Sequence, residues 1–115
     1  MPRALIVEDD PALRLLSRVN LELDGFEVED AATVAEAEAA LAAAVPDVVL
    51  LDLHLGRSPS TGLLERLRSA GIPVAIVTGT DDLEALAGAA DAVLAKPFAP
   101  EDLVSTARRL ARVEP

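Results

Sequence analysis

The fold is decided by the stretch DVVLLDL, residues 47–53. From Val48 onward it is an unbroken apolar run with β-branched residues, and it stops at the carboxylate of Asp52. A half-exposed strand alternates apolar and polar residues, whereas a strand inside a parallel sheet is buried on both faces and reads as one apolar run. The stretch therefore predicts a central parallel strand. Asp52 stands at its carboxyl end, the edge at which open α/β sheets bind ligands, although a carboxylate there also serves to cap a turn.

Four further runs predict the rest of the sheet, and each is followed by a helical pattern. The predicted strands are residues 4–7, 26–30, 48–52, 73–77 and 92–95. The second of them alternates apolar and acidic residues, which is typical of an edge strand. The helical patterns begin at Pro11, at the capping-box sequence Thr33 to Glu36, and at Gly62, Asp81 and Pro100. Strict alternation predicts the α/β class, a doubly wound (βα)5 domain with right-handed crossovers and helices on both faces.

The first helix has clear end signals. Asp10 fits the N-cap position before Pro11, and Gly25 fits the position just past the end. Apolar residues recur at helical spacing, so we expect one side to face the sheet while Arg14 and Arg18 point away. The residues expected on the buried side are Ala12, Leu15, Leu16, Val19 and Leu23.

Length and composition limit the possible classes of protein. With 115 residues the chain forms one domain, residues 1–115, large enough for its own core. Cysteine is absent, which excludes disulfides and thiolate metal sites. The net charge of −10 argues against binding nucleic acid or an anionic membrane. No apolar stretch approaches the roughly 20 residues that span a bilayer and no cleavable signal pattern follows Met1, so we expect a cytoplasmic protein.

Polar side chains stand at the ends of four predicted strands. Because the carboxyl ends of parallel strands meet at one edge of the sheet, we expect these side chains to form a single site. Lys96 is the one lysine among 10 basic residues, and a compact ammonium group suits a phosphate. Each residue alone also fits an ordinary structural role, such as a helix cap or a surface charge. The set consists of Asp9, Asp10, Asp52, Thr78 and Lys96.

The chemistry of this set favours phosphoryl transfer. Three carboxylates close together repel one another unless a cation lies among them, and hard oxygen ligands favour Mg²⁺. In this interpretation Asp52 is the nucleophile, and Thr78 and Lys96 hold the phosphoryl oxygens. Gly79, next to Thr78, leaves room for the phosphoryl group to enter.

The ordered set resembles the receiver domain of bacterial two-component response regulators over nearly the whole chain. The motifs that carry the resemblance are Val7-Glu8-Asp9-Asp10, Asp52-Leu53-His54-Leu55, Gly62, the strand Pro73 to Gly79 with its Thr78, and Lys96-Pro97-Phe98. The resemblance implies a flavodoxin-like, five-stranded parallel sheet in the order 2-1-3-4-5. Since only Val113-Glu114-Pro115 follow the last predicted helix, we expect the single-domain type of receiver.

The resemblance further implies the roles of the site residues. Asp52 would accept a phosphoryl group from a histidine kinase or a histidine phosphotransfer protein, and Lys96-Pro97 would be a cis peptide. His54 and Thr80 would lie beside the phosphoryl group, and we hypothesise that they modulate the dephosphorylation rate. The expected Mg²⁺ ligands are Asp9, Asp10, Asp52 and the backbone carbonyl of His54.

The chain departs from the family pattern in ways that affect its expected output. Gly56 stands where the family usually has proline, and the loop from Asp52 to Gly62 looks longer than usual. The fourth predicted helix looks short, which alters a common dimer face and favours a monomer. Val93 occupies the switch position at which many members carry an aromatic residue, so the usual relay lacks its ring.

The leading interpretation is a signalling module that binds a downstream protein or relays phosphate, and not an enzyme with an external substrate. Two alternatives stay open. A degenerate receiver would act as an interaction scaffold independent of phosphorylation. A phosphatase of the haloacid dehalogenase type also combines Asp, Thr, Lys and Mg²⁺, but it has a cap domain and a second aspartate where this chain has His54.

Overall fold

A five-stranded parallel sheet lies at the centre of the protein, in a computed structural model that describes residues 1–55, 58–79 and 88–113. The strands in chain order are β1 (Arg3–Val7), β2 (Glu27–Ala31), β3 (Val48–Asp52), β4 (His54–Leu55), β5 (Ser58–Pro59), β6 (Val74–Thr78) and β7 (Ala92–Ala95). The described helices are α1 (Pro11–Leu23), α2 (Val34–Ala43), α3 (Thr61–Ser69) and α4 (Pro100–Ala111). The sheet has the order β2-β1-β3-β6-β7, while β4 and β5 form a separate antiparallel pair. With that pair set aside, the predicted order 2-1-3-4-5 is confirmed, and every strand pair in the sheet is parallel.

Strand β3 is buried on both faces, as predicted. Val49 and Leu51 belong to the core cluster that includes residues of α2 and α3. Val48 and Leu50 belong to the cluster on the opposite face, which includes residues of α1 and α4. The strand thus runs through the middle of both cores and ends with Asp52 at the carboxyl edge of the sheet.

Helix α1 packs with a side other than the one predicted. Leu21 is fully buried and Ser17 nearly so, whereas all five apolar residues expected to be buried lie at the surface. The exposed fractions are 61 % for Leu15, 43 % for Leu16, 43 % for Val19 and 82 % for Leu23, four residues that we call the α1 stripe. Ala12 is also exposed. The prediction was wrong because apolar residues occur on both sides of this helix, so their spacing does not select one side.

Arg14 and Arg18, which we expected to point away from the fold, bind the edge strand β2. Arg18 Nη1 lies 2.6 Å from Asp30 Oδ2, and Arg14 Nε lies 3.7 Å from Asp30 Oδ1. Arg14 Nη1 also donates to the backbone carbonyl of Glu8 at 2.9 Å. These contacts hold α1 in the rotation that leaves the α1 stripe at the surface.

The helix ends agree with their sequence signals. The Asp10 carboxylate accepts hydrogen bonds from two backbone N–H groups in the first turn of α1. Thr33 caps α2 by accepting from the Glu36 N–H at 3.1 Å, and the Glu36 carboxylate accepts from the Ala32 N–H at 2.8 Å. Gly25, which follows α1, has a φ of +97°, a conformation that favours glycine.

The segment after Asp52 contains more structure than the polar loop that the sequence predicted. Strands β4 and β5 form a short hairpin in which His54 lies opposite Pro59 and Leu55 lies opposite Ser58. Leu55 is buried, with 6 % of its surface exposed. Strand β5 leads directly into Ser60 and α3, so the described part of this segment contains a small β pair beside the acceptor position.

Several expectations fall outside the described residues. Gly56, Thr80 and the predicted helix that begins at Asp81 belong to this group. In the part of the chain that the structure does describe, no helix is long and apolar enough to cross a membrane.

Candidate functional site

The polar residues of the predicted site meet at the carboxyl edge of the sheet. Glu8 directly follows β1, Asp52 ends β3, and Thr78 ends β6. Lys96 directly follows β7, and its backbone N–H donates to the Thr78 carbonyl at 2.8 Å. Because β3 lies between β1 and β6, Asp52 stands at the centre of this edge.

Both carboxylate oxygens of Asp52 have a hydrogen-bond donor. Lys96 Nζ lies 3.3 Å from Oδ2, and the backbone N–H of His54 donates to Oδ1 at 3.1 Å. Asp52 is only 6 % exposed. Its carboxylate is therefore held in a fixed orientation, with an ammonium group on one oxygen.

Glu8 is a buried acid beside Asp52 that the sequence analysis did not place in the site. It is 4 % exposed, and its Oε1 lies 2.8 Å from Lys96 Nζ. The Asp10 N–H donates to Glu8 Oε2 at 3.2 Å. Burial, together with the neighbouring Asp52 carboxylate, raises the pKa of Glu8 to about 7 against the opposing hydrogen bonds from Lys96 and the Asp10 N–H.

Lys96 places a positive charge at this edge, in contact with Glu8 and Asp52. Burial lowers its pKa, but the hydrogen bond to Glu8 and the charge of Asp52 outweigh burial, so the Lys96 pKa is raised overall. The group therefore stays protonated at neutral pH. The peptide bond between Lys96 and Pro97 is cis, as expected from the family resemblance.

Three carboxylates in the described part of the chain lie close enough to hold one metal ion. Oxygens of Glu8, Asp9 and Asp52 are all within 4.8 Å of one another. Asp10, which we expected in this group, lies outside it because its carboxylate caps α1. The sequence already indicates this role, since Asp10 stands in the N-cap position before Pro11 and a capping carboxylate turns toward its own helix.

The remaining predicted residues surround this cluster to different degrees. Thr78 is 1 % exposed. A Cβ added at Gly79 would meet no heavy atom of the described residues within 4 Å. His54 exposes its side chain on β4, and Val93 is half-buried against the core cluster of α2 and α3. Thr80 lies outside the described residues.

An acidic cluster and one lysine at the carboxyl edge of a 2-1-3-4-5 sheet point to one family. The family model of the response regulator receiver domain matches residues 4–108. The chain belongs to this family. Receiver domains are signalling modules of two-component systems and do not form a family of conventional enzymes, so the interpretation as a haloacid dehalogenase phosphatase is wrong.

Among the curated relatives of this receiver domain are transcriptional regulators. The DNA-binding dual master transcriptional regulator RpaA of Synechocystis sp. is 35 % identical, with 97 % of this chain and 50 % of the relative covered. The phosphate regulon transcriptional regulatory protein PhoB of Rhizobium meliloti is 32 % identical, with 97 % and 53 % covered. The chain thus spans about half the length of the curated relatives it matches.

Solved receiver domains share the whole fold. A CheY-like receiver domain protein from Methanospirillum hungatei has a TM-score of 0.87 and 34 % identity, with 97 % of this chain and 94 % of that chain covered. The non-phosphorylated HemR receiver domain from Leptospira biflexa has a TM-score of 0.85 and 27 % identity, with 100 % and 98 % covered. The flavodoxin-like α/β prediction is therefore confirmed.

Proposed function

We propose that Asp52 is the phosphoacceptor of this receiver domain. The observation that carries the proposal is its carboxylate, which is buried at the sheet edge with Lys96 Nζ 3.3 Å from one oxygen. One Asp52 oxygen attacks the phosphorus of a phosphohistidine on a histidine kinase or a histidine phosphotransfer protein. The phosphorus–nitrogen bond breaks, its electron pair stays on the donor imidazole, and an acyl phosphate forms on Asp52.

The acidic cluster fits Mg²⁺ as the cofactor of this step. Its three carboxylates supply the hard oxygen ligands that Mg²⁺ prefers, and their oxygens lie within 4.8 Å of one another. We propose Glu8, Asp9 and Asp52 with the His54 backbone carbonyl as the ligand set, in place of the expected set with Asp10. When bound, Mg²⁺ supplies positive charge that offsets the charge developing on the phosphoryl oxygens.

Lys96 and Thr78 are proposed to hold the phosphoryl oxygens on Asp52. The Lys96 ammonium already contacts the carboxylates of both Asp52 and Glu8. It therefore lies within reach of a phosphoryl group added to Asp52. Thr78 ends β6, the strand next to β3, and the described residues leave a place for the new group beside Gly79. The chain would thereby promote its own phosphorylation and dephosphorylation and would have no other substrate.

The position of His54 supports a role in the lifetime of the phosphoryl group. Its exposed side chain lies two residues beyond the acceptor, on the hairpin that borders the site. We expect His54→Ala and Thr80→Ala to change the half-life of phosphorylated Asp52, because both side chains would control the approach of water. Unchanged half-lives in both variants would contradict this role.

The consequence of phosphorylation is proposed to be altered partner binding or relay of the phosphoryl group. The main test is the intact mass of the chain after incubation with Mg²⁺ and a small-molecule phosphodonor. We expect one added phosphoryl group in the wild type and none in Asp52→Asn or without Mg²⁺. No addition with small donors, with candidate kinases or with phosphotransfer proteins would favour the scaffold function instead.

A further inference from the structure

Ser60 occupies the N-cap position of α3 but does not cap the helix. Serine is among the preferred N-cap residues because its hydroxyl accepts a backbone N–H of the first turn. Here the Ser60 side chain makes no such bond. Its Oγ instead lies 2.6 Å from the carbonyl oxygen of Asp52 and 2.9 Å from that of Leu53, and Ser60 is 1 % exposed. The hydroxyl therefore donates toward the backbone of the acceptor residue and not toward its own helix.

The hydrogen-bond ladders that hold β3 in the sheet end at or next to Asp52. The ladder between β3 and β1 ends at Leu51, and the ladder between β3 and β6 ends at Asp52 itself. The next contact, from the Leu53 N–H to the Val77 carbonyl, is long at 3.4 Å. The Ser60 N–H and hydroxyl both reach the Leu53 carbonyl, so Ser60 takes over support of the chain where the ladders end.

We propose that Ser60 is a positioning residue for phosphoryl transfer to Asp52. This inference rests on the proposed function. The buried hydroxyl shares its single proton between the two carbonyls and so fixes the peptide units on either side of Leu53, which carry the Asp52 carboxylate and the His54 N–H that bonds it. It also links Asp52 to the first turn of α3. The Ser60 hydroxyl is then not used to cap that turn.

The first test measures the local backbone and needs no phosphorylation. Amide hydrogen exchange at His54 is followed by NMR in the wild type, Ser60→Ala, Ser60→Thr and Thr106→Ala. Thr106 is a matched control because it is also a buried hydroxyl-bearing residue, 9 % exposed, but lies on α4. We expect Ser60→Ala to accelerate exchange at His54 roughly tenfold under folding conditions, while the Thr106 variant stays at the wild-type rate.

The second test measures the reaction with a small-molecule phosphodonor and Mg²⁺. We expect Ser60→Ala to lower the maximal labelling rate roughly tenfold with an unchanged half-saturating donor concentration, because a misplaced nucleophile slows chemistry without weakening donor binding. Ser60→Thr keeps the hydroxyl and should restore much of the rate. Urea unfolding of every variant separates these effects from lost stability.

The outcomes are distinguishable. The positioning role is overturned if the Ser60→Ala variant has the wild-type rate of amide exchange at His54 and the wild-type rate of phosphoryl labelling. It is also overturned if both rates change only in proportion to the loss of stability measured by urea unfolding. If the wild type gains no phosphoryl group from small donors, candidate kinases or phosphotransfer proteins, the proposed function fails, and the exchange measurement alone decides whether Ser60 holds the acceptor backbone.

Discussion

Glu8 and Asp52 share one ammonium group. Lys96 Nζ lies 2.8 Å from Glu8 and 3.3 Å from Asp52, while Asp9 brings a third carboxylate to the same place. Burial disfavours the charged form of the Glu8 carboxylate, and the neighbouring Asp52 carboxylate adds to this effect, so the pKa of Glu8 rises although Lys96 opposes the rise. Glu8 therefore binds a proton more readily in the folded chain than in the unfolded chain.

The raised Glu8 pKa predicts that stability falls as pH rises. Folding moves this pKa from 4.5 to about 7, so the folded chain binds more protons than the unfolded chain between these values. The stabilisation is complete below the unfolded pKa and is lost as pH rises through the folded pKa. In a metal-free buffer, we expect the wild type to lose roughly 2 kcal/mol more than Glu8→Gln between about pH 5.5 and pH 8. Urea unfolding checks this, and parallel pH profiles would contradict it.

The surroundings of Gly79 give a second prediction at the residue scale. An added Cβ meets nothing described within 4 Å, so we expect Gly79→Ala to change stability by less than about 0.5 kcal/mol. The new methyl group would, however, occupy the space proposed for the phosphoryl group, and labelling of Asp52 should slow. Gly62→Ala is the matched control because its added Cβ is also free of contacts. Equal labelling rates in the two variants would argue against phosphoryl entry beside Gly79.

The residues of the site could be predicted only in part from the sequence. Asp52 and Lys96 were found because each directly ends an apolar strand. The run Glu8-Asp9-Asp10 offers three similar carboxylates, and its chemistry alone does not tell which of them turn toward the sheet edge. The outcome is set by the start of α1, which takes Asp10 as its cap.

At the scale of elements, α1 shows how an apolar pattern can leave a helix rotation undecided. Leucines and valine occupy both of its sides, and the ion pairs of Arg14 and Arg18 with Asp30 are long-range contacts that helical spacing does not contain. Strands were easier to predict because β3 and β6 are buried on both faces, so no choice of face arises. The β4–β5 hairpin was missed because each strand has only two residues.

The observed rotation of α1 predicts unequal costs for two leucines of the same helix. Leu21 is fully buried, so Leu21→Ala should cost about 2–5 kcal/mol through lost transfer energy and a cavity. Leu15 is 61 % exposed, so Leu15→Ala should cost less than about 1 kcal/mol. Chemical denaturation of the two variants makes the comparison. A larger cost at Leu15 would support the rotation first predicted from the sequence.

The end of α4 carries a residue in a left-handed conformation. Arg112 has a φ of +58°. This conformation is unfavourable for a residue with a Cβ atom, whereas glycine adopts it readily. We expect Arg112→Gly to stabilise the protein by about 0.5–1 kcal/mol, measured by thermal or urea unfolding. Arg109→Gly provides the contrast, since it places glycine inside the same helix and should destabilise by about 1 kcal/mol. Destabilisation by Arg112→Gly would show that the left-handed position carries no strain.

At the scale of the whole molecule, the topology followed from the sequence because alternation and handedness leave few arrangements. Buried runs followed by helices require a parallel sheet with right-handed crossovers, and the family resemblance supplied the strand order. The surface was less predictable. Ion pairs such as Arg66 with Glu38 and Arg108 with Asp24 join residues far apart in the chain, and neither has a local signal.

The cluster of Glu8, Asp9 and Asp52 predicts that Mg²⁺ stabilises the fold by binding at this one place. An ion that binds only the folded chain adds about 2.7 kcal/mol to the free energy of unfolding when its concentration is a hundredfold above Kd. Because the net charge is −10, salt alone also relieves repulsion, so ionic strength is matched with sodium chloride. Asp9→Asn should lose most of the Mg²⁺-specific part. An equal effect of Mg²⁺ on the wild type and the variant would place the ion elsewhere.

The exposed α1 stripe affects how two molecules of the protein interact in solution. The four apolar side chains of the stripe, up to 82 % exposed, favour association of two molecules, since association removes apolar surface from water. The net charge of −10 opposes that encounter at neutral pH. As pH falls toward the isoelectric point of about 4.4, the charge repulsion between molecules disappears, while the apolar stripe is unchanged. We therefore expect the chain's acidity to oppose association through the α1 stripe at neutral pH.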